Sequence, residues 1–313
     1  MRSPLISVCI VTYNQESYIR QCVESVLAQG PDVSLEILVG DDCSSDRTGS
    51  IVKELADLHP GVIRYVRNAS RLGPSENIQA VLARVKGEFV AHLDGDDYWL
   101  PGKLKKQLAF LESNPGCAAV YTNAFTVNES GGQTGFFNDV RDLELDLAGL
   151  LRRGNFLNAS SMCTRAELIK DVAAIEGPFI DYRAHLRYAR YGFVAQIAEP
   201  LVGYRVNSTG SMVLNANDRI RQLYWEALMD VPRAKVSDID FAKGMADFLR
   251  RVTFRAIRMR RWSLIREWAP RVFEVSPYGS VVEVLLTLSS ILRVICSEAW
   301  GRLVRNEKVL YRR

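Results

Sequence analysis

Two hydrophobic periods take turns along the first hundred residues. Leu5-Ile6-Ser7-Val8-Cys9-Ile10-Val11 is an apolar run of strand length, and Ile19, Cys22, Val23, Val26 and Leu27 then fall on one face of a helix. The exchange repeats. Leu35-Glu36-Ile37-Leu38-Val39 predicts a second strand, and Ile51, Val52, Leu55 and Leu58 predict a helix that Ser44 or Ser45 is placed to cap. A third short strand covers 62–66. Pro74 opens a third helix with Ile78, Val81, Leu82 and Val85 inward, and Glu88 to Leu93 is again a strand. Strands alternating with amphipathic helices predict an α/β fold, a mainly parallel sheet with right-handed crossovers and helices on its faces. From Ala216 onward the pattern is helical.

Ligands of such sheets bind outside the carboxyl ends of the strands. Three polar motifs fall at that edge: Thr12-Tyr13-Asn14-Gln15, Asp41-Asp42-Cys43-Ser44-Ser45-Asp46, and His92-Leu93-Asp94-Gly95-Asp96-Asp97-Tyr98-Trp99. Carboxylates crowded at a strand end repel one another unless something positive sits between them. A divalent cation meets that need, because hard cations take oxygen ligands and leave positions open for phosphates. A solvated acidic turn has the same composition, so the last motif alone does not decide the matter. His92 alternates with apolar neighbours and reads as a core histidine.

Composition narrows the class. Hydrophobic residues make up 48% and charged residues 24% of 313, which suits a soluble globular protein with one large domain or two smaller ones. Cys9, Cys22, Cys43, Cys117, Cys163 and Cys296 form no C-x-x-C pair, and the three histidines stand alone. That argues against zinc and for a reducing, cytoplasmic location. The opening strand predicts no signal peptide. The net charge of +4 is unevenly spread: residues 250–313 hold 14 Lys/Arg against 5 Asp/Glu, and those before hold 26 against 31. The polar, Gly-rich stretch from Asn128 to Asp139 reads as a hairpin tip or mobile loop.

Taken together, these motifs resemble those of family 2 glycosyltransferases with the GT-A fold. Val8-Cys9-Ile10-Val11-Thr12-Tyr13-Asn14 is similar to that family's first strand and nucleotide loop. Leu38 to Asp46 resembles its V-D-D-G-S-T-D element, with Gly40 and Cys43 as substitutions. Lys86 to Asp97 resembles the strand carrying the D-x-D signature. Tyr98-Trp99 with Lys103-Leu104-Lys105-Lys106-Gln107 resembles a subgroup with G-D-D-Y-W and K-L-x-x-Q. The resemblance covers roughly residues 5 to 212 and rests on the combination. It implies that Thr12, Tyr13 and Asp42 hold the nucleotide, that Asp94 contacts the ribose or shares a metal, and that Asp96 ligates Mn²⁺ or Mg²⁺ on the donor diphosphate. It further implies an inverting transfer with a carboxylate base before a helix. Asp181 in Gly177-Pro178-Phe179-Ile180-Asp181-Tyr182 fits, with Glu176 the nearest competitor; an N-cap aspartate would look the same.

The chain departs from the family's pattern in three places. Ser75-Glu76-Asn77 stands near the usual Ala-Arg-Asn, so that arginine is missing. Tyr204-Arg205-Val206-Asn207 has Asn207 where histidine is common, and Arg205 reads equally as a diphosphate contact or as a structural partner. Gly-rich phosphate loops are absent, which argues against dinucleotide enzymes and P-loop kinases. Tyr98 and Trp99 follow the acidic loop and suit either a sugar face or the core. The stretch from Asn158 to Thr164 reads as a strand followed by a helix cap, with hydroxyls that would line a donor-sugar pocket.

The tail adds a second feature. Phe241, Met245, Phe248, Leu249 and Val252 make an apolar helical face, and Arg250, Arg251, Arg255, Arg258, Arg260 and Arg261 a basic one. Between Glu283 and Arg293 the apolar run from Ser280 to Ala299 keeps nine uncharged residues, too few to span a bilayer. Two readings stand side by side: a helical subdomain, or in-plane docking on a membrane with arginines on anionic headgroups. No nucleic-acid recognition motif is present. The expected organisation is a GT-A domain over 1–212, with a nucleotide half to about 100 and an acceptor half beyond, then a basic helical region over 213–313. The expected activity is transfer from a nucleotide-diphosphate sugar to a hydroxyl of a glycan or lipid-linked acceptor, in cell-surface polysaccharide or glycolipid assembly. A non-catalytic subunit of the same fold and a sugar nucleotidyltransferase are the alternatives.

Overall fold

Strands β1 (Ile6–Thr12), β2 (Leu35–Asp41), β3 (Ile63–Arg67) and β4 (Phe89–Asp94) are all parallel and lie in the order β3-β2-β1-β4. They belong to a computed structural model that describes residues 6–30, 33–139, 141–206, 217–304 and 308–311. Helices α1 (Ile19–Leu27), α2 (Thr48–Leu58) and α3 (Pro74–Leu82) make the crossovers. The chain leaves β1 toward β2 and β3, then returns to the other side of β1 for β4. The strand order therefore reverses at the β1–β4 boundary, and in open α/β sheets ligands bind outside the carboxyl ends of the strands at such a reversal.

The second half is spliced on by an antiparallel strand. After β5 (Tyr98–Trp99) and α4 (Lys103–Ser113) come β6 (Cys117–Val127), β7 (Gln133–Asn138), β8 (Leu143–Leu145) and α5 (Leu147–Arg153). Strand β9 (Cys163–Arg165) pairs antiparallel with both β4 and β6 and so joins the two halves. Then follow α6 (Ile169–Ala173), α7 (Asp181–Tyr188) and β10 (Phe193–Arg205), which runs parallel to β6 and returns to β5 at Val202 and Gly203. Helices α8 (Asn217–Met229), α9 (Asp238–Met259), α10 (Ser263–Val275) and α11 (Gly279–Val304) close the chain, with β11 (Val309–Tyr311) beside β7.

Strand alternation divides the core between the two sheet faces. Val8 and Ile10 pack with α1, α2 and α4 on one side, while Cys9 faces α3, α5 and α7 on the other. The second cluster continues through Tyr224 of α8, Phe241, Met245, Phe248 and Val252 of α9, and Trp268 of α10. The last hundred residues therefore share a core with the acceptor-side half.

Local chemistry departs from the sequence reading in several places. Neither Ser44 nor Ser45 caps α2: Ser44 Oγ accepts the Asn14 N–H at 3.0 Å, and Asp46 Oδ1 accepts the Thr48 N–H at 2.9 Å. The 158–164 stretch runs in the opposite order, a 3-10 turn at Ala159–Ser161 and then β9, because the backbone is needed for antiparallel pairing. The Gly-rich stretch from Asn128, by contrast, keeps to the hairpin-tip reading: Asn128 closes the tip by accepting the Gly132 N–H at 2.7 Å, and β7 is the second strand. Arg250 and Arg251 leave the basic face, since Asp247 one turn back pairs with both. The tail is not helical throughout: Val309 and Tyr311 pair with β7, and the Tyr311 ring lies 5.0 Å from that of Phe137. The apolar segment is also longer than nine residues. Gly279–Ser297 forms helix over 19 residues at mean hydropathy 1.8, long and apolar enough to cross a membrane by length and composition.

Candidate active site

Register brings the three motifs together. Thr12 lies opposite Asp41, and Val11 opposite Asp94, so the ends of β1, β2 and β4 share one edge. The Gly95 N–H donates to the Val11 carbonyl at 2.9 Å and the Asp42 N–H to the Thr12 carbonyl at 3.0 Å, stitching the loops across the crevice. Gly95 has to lack a side chain here, because a Cβ would run into Gln15 Oε1 and the Thr12 side chain. Those two are themselves bonded, Thr12 Oγ1 donating to Gln15 Oε1 at 2.7 Å.

At the end of β2, Asp42 is buried and organises the loop after β3. Its carboxylate accepts the Leu72 N–H at 2.7 Å, the Gly73 N–H at 2.9 Å and Asn68 Nδ2 at 3.2 Å. Hydrogen bonds to a charged acceptor contribute about 1.5–3 kcal/mol each, so this loop is held firmly against β2. The Arg71 guanidinium lies over the Tyr13 ring, 4.1 Å from its centroid, at the mouth of the same recess. Asn77 stands near the expected Ala-Arg-Asn. It is buried, donating to the Gly40 carbonyl and accepting from Asn68 at 2.9 Å each, which ties α3 to β2.

The acidic loop is sorted by its partners. Asp94 lies at the end of β4 with its side chain 41% exposed. Its Oδ1 is 3.1 Å from His92 Nε2 and its Oδ2 accepts from Ser160 Oγ at 3.2 Å. Burial opposes ionisation of Asp94, but the His92 imidazole and the two hydrogen bonds outweigh it and hold the carboxyl below its usual range. Asp97 goes the other way. It is buried, and desolvation followed by the charges of Asp96 and Asp94 drives its carboxyl well above the usual range. Its Oδ2 lies 2.6 Å from Ser160 Oγ, and its Oδ1 accepts the Arg205 N–H at 2.8 Å. The loop thus separates Asp97, which is buried and held by Arg205 and Ser160, from the partly exposed Asp94 and Asp96.

Arg205 is a structural partner of this loop. It is 5% exposed; Nε donates to the Asp96 carbonyl at 2.9 Å, Nη1 to the Asn128 and Glu129 carbonyls at 3.0 Å, and Nη2 to Gln21 Oε1 at 3.1 Å. Its neighbour Asn207 lies outside the described residues. Trp99 is core: it is 3% exposed, donates Nε1–H to the Ser160 carbonyl at 2.7 Å, and has Lys103 Nζ 3.9 Å above its ring. Tyr98 lies flat on β10 at Gly203, where a Cβ would collide with its ring. The K-L-x-x-Q helix has the same purpose. Buried Gln107 donates to the Val120 and Ser161 carbonyls at 2.9 and 2.7 Å, fixing the Ser160 turn under the acidic loop.

Asp181 stands at the start of α7 as its first helical residue. Ile180 occupies the flanking N-cap position and no side chain caps the end, so Asp181 is not the cap residue. Its Oδ1 accepts the Tyr182 N–H at 2.8 Å and Asn155 Nδ2 at 3.0 Å. Desolvation, only partly offset by those bonds and reinforced by the charge of Asp94, pushes its carboxyl up to about 6. The charge of Asp94 adds to the rise and that of His92 opposes it. The approach to α7 is set by α3: Ser75 Oγ pairs with both backbone groups of Phe179, and Gln79 donates to the Ala173 and Ile175 carbonyls. Glu176 is exposed on that approach.

His92, Asn155 and Arg71 were not picked out from the sequence as site residues, whereas Ser160 is among the hydroxyls expected near the site. For His92 a signal existed: residues two apart on a strand share a face, and Asp94 is its i+2 neighbour. Among the described residues no group of three His, Cys, Asp or Glu side chains surrounds a metal position. A hard dication bound through one or two carboxylates, with phosphate oxygens and water completing its shell, does not need such a group. Asp94 and Asp96 offer that donor set.

The chain is similar to known proteins in sequence and in fold. Residues 7–156 match the family model described as Glycosyl transferase family 2. An uncharacterised Mycobacterium tuberculosis protein, Rv1520, is 31% identical over 225 residues, 71% of this chain and 64% of that protein. The chain thus spans a little under two thirds of that relative's length. An uncharacterised glycosyltransferase of Haemophilus influenzae is 29% identical over 222 residues, 67% of this chain and 68% of its own. Among solved structures, S. aureus TarS 1-349 in complex with UDP-GlcNAc superposes with a TM-score of 0.66 at 18% identity, covering 95% of this chain and 92% of that one. The fold is therefore mixed α/β of GT-A type, a mainly parallel sheet flanked by helices.

Proposed function

We propose that this chain, whose residues 7–156 carry the family 2 glycosyltransferase pattern, is an inverting, metal-dependent glycosyltransferase. One arrangement carries the reading: Asp94 and Asp96 follow β4 at the β1–β4 reversal, and Asp181, whose carboxyl burial and the charge of Asp94 raise to about 6, stands at the start of α7. Asp42, Thr12 and Tyr13 bind the nucleoside of a sugar diphosphate donor. Nucleotide-sugar binding by TarS, whose complex holds UDP-GlcNAc, supports a donor of that class. Asp94 and Asp96 hold Mn²⁺ or Mg²⁺, which when bound neutralises the charge growing on the leaving diphosphate. Asp181 accepts the proton of the acceptor hydroxyl as its oxygen attacks the anomeric carbon from the face opposite the leaving group. Attack from that side inverts the configuration.

In this reading residues 1–212 form the catalytic unit and 213–313 a helical region braced against it. The protein works in the cytoplasm, at the inner face of the membrane, on a glycan or lipid-linked acceptor of cell-surface assembly. The test is heat stability of the protein with a panel of nucleoside diphosphates, with and without Mn²⁺, beside Asp96→Ala. A ligand that binds the native state raises the midpoint by mass action. The expected result is a Mn²⁺-dependent rise for one nucleotide that disappears in Asp96→Ala. No rise with any nucleotide would overturn the proposal in favour of a non-catalytic subunit.

A further inference from the structure

Helix α11 is polar on the face it turns to the protein and apolar on the face it turns outward. Glu283 is fully buried and accepts Ser276 Oγ at 2.7 Å, Thr287 is 6% exposed, and Ser290 Oγ accepts Arg250 Nε at 3.1 Å. These positions recur at i, i+4 and i+7, one stripe along the helix. On the opposite side Val281 is 73% exposed, Leu285 61%, Leu288 50% and Leu292 61%. A surface helix of a water-soluble protein has the reverse polarity, and scattered exposed leucines do not line up in this way.

Basic residues outnumber acidic ones on these helices, although Glu267 and Glu274 of α10 are also exposed. Arg293 on α11, Arg258 and Arg260 at the end of α9, and Arg266 on α10 are exposed. Trp262 and Tyr278, in the turns before α10 and α11, are 57% and 45% exposed. Apolar side chains with arginines and interfacial aromatics beside them match the layered chemistry of a bilayer surface carrying anionic headgroups.

We propose that the outward face of α11 is an interfacial anchor that docks the protein on an anionic lipid leaflet, with the helix lying in the membrane plane. The helix does not cross: it packs along α9, and crossing would carry Asp247, Arg250 and Arg251 of that neighbour toward the hydrocarbon. This deepens the glycosyltransferase reading, on which its purpose rests, because docking holds the crevice beside acceptors carried in the same leaflet.

The experiment is flotation of the full chain with phosphatidylcholine vesicles, with and without about a third phosphatidylglycerol. Leu285→Glu/Leu288→Glu and Arg258→Glu/Arg260→Glu are run alongside. All four side chains are exposed, so both variants are expected to keep the wild-type melting midpoint and its nucleotide-dependent rise. The expected result is flotation of the wild type with the anionic vesicles, reduced tenfold or more by the leucine pair. The arginine pair and high salt should weaken it as well. Wild type that stays unbound to anionic vesicles would overturn the proposal. So would an oligomer in solution that the leucine pair splits while vesicle binding is absent, since that makes the face a contact between copies. Loss of flotation with the nucleotide response intact separates docking from the catalytic reading.

Discussion

The strongest test of the proposed chemistry is the pH dependence of transfer, together with its response to the residue that donates a hydrogen bond to the proposed base. With its carboxyl at about 6, Asp181 is about nine-tenths ionised at pH 7 and roughly one-tenth at pH 5. Only the ionised form accepts a proton, so kcat/KM should fall about tenfold between those values along an acidic limb centred near 6. Asn155 donates to Asp181 at 3.0 Å and favours the charged form. A hydrogen bond to a charged group is worth about 1.5–3 kcal/mol, and about 1.4 kcal/mol displaces a titration by one pH unit. Asn155→Ala should therefore move the limb upward to above 7, leaving the rate at high pH little changed. Asp181→Asn should lower kcat by about 10²–10⁴. Stability has the opposite sign. An unfolded aspartate loses its proton near 4 and the native one near 6, so the native state holds more protons between those values. Stability falls as pH rises through that window and the full cost remains at pH 7, where Asp181→Asn should melt higher than the wild type. Initial rates with the donor identified by heat stability, from pH 5 to 9, check the limb. Asp181→Asn activity within a few fold of wild type, or a limb that Asn155→Ala leaves in place, would refute the assignment.

Three further outcomes are expected. Arg205→Lys cannot reach the carbonyls of Asp96, Asn128 and Glu129 together, so chemical denaturation should show a loss of about 3 kcal/mol or more. The Mn²⁺-dependent nucleotide response should weaken at least tenfold. Gln107→Ala leaves the buried Val120 and Ser161 carbonyls without their donor and should cost about 2–4 kcal/mol in the same assay. Burial pushes Glu283 up to about 7, so the native state holds its proton while the unfolded chain releases it near 4. Its contribution to stability is present at low pH and lost as pH rises toward 7. Glu283→Gln should therefore raise the melting midpoint at pH 8 and leave it little changed at pH 4; an unchanged midpoint at pH 8 would count against a buried carboxylate there.

The parallel half was legible because its signals are local. Period-2 and period-3.6 runs of good length name β1 to β4 and their helices, and the topological rule then places the motifs at one edge. What stayed hidden is non-local. Nothing in Asn158-Ala159-Ser160-Ser161 distinguishes a turn from a strand until β9 is seen to need Cys163 and Thr164 for pairing with β4 and β6. His92 looked like a core residue because its neighbours in sequence are apolar, while its partner sits two residues on and both face the crevice. Arg250 and Arg251 looked like part of a solvated face because a run of arginines suggests one. A single aspartate one turn back was enough to draw them in. Arg205 was open between two uses until its donors were found on main-chain carbonyls, a pairing that side-chain chemistry does not forecast.

The carboxy-terminal helices belong to the argument about catalysis as much as to that about docking. Arg251 is held by Asp247 and donates to the Asn155 carbonyl at 3.2 Å, while the Asn155 N–H donates to Tyr224 Oη at 3.1 Å. Both backbone groups of Asn155 are thus fixed by α8 and α9, and its side chain is the group that orients Asp181. The Asp247 that holds Arg251 also pairs with Arg250, whose Nε reaches Ser290 on α11. A continuous polar route therefore runs from the inner stripe of α11 through α9 to Asn155 and the proposed base. Packing of that kind resists small displacements and holds one arrangement. The helices consequently fix the position of the proposed base, as proton transfer would require, and the proposed docking face of α11 rests on the same elements that hold Asn155.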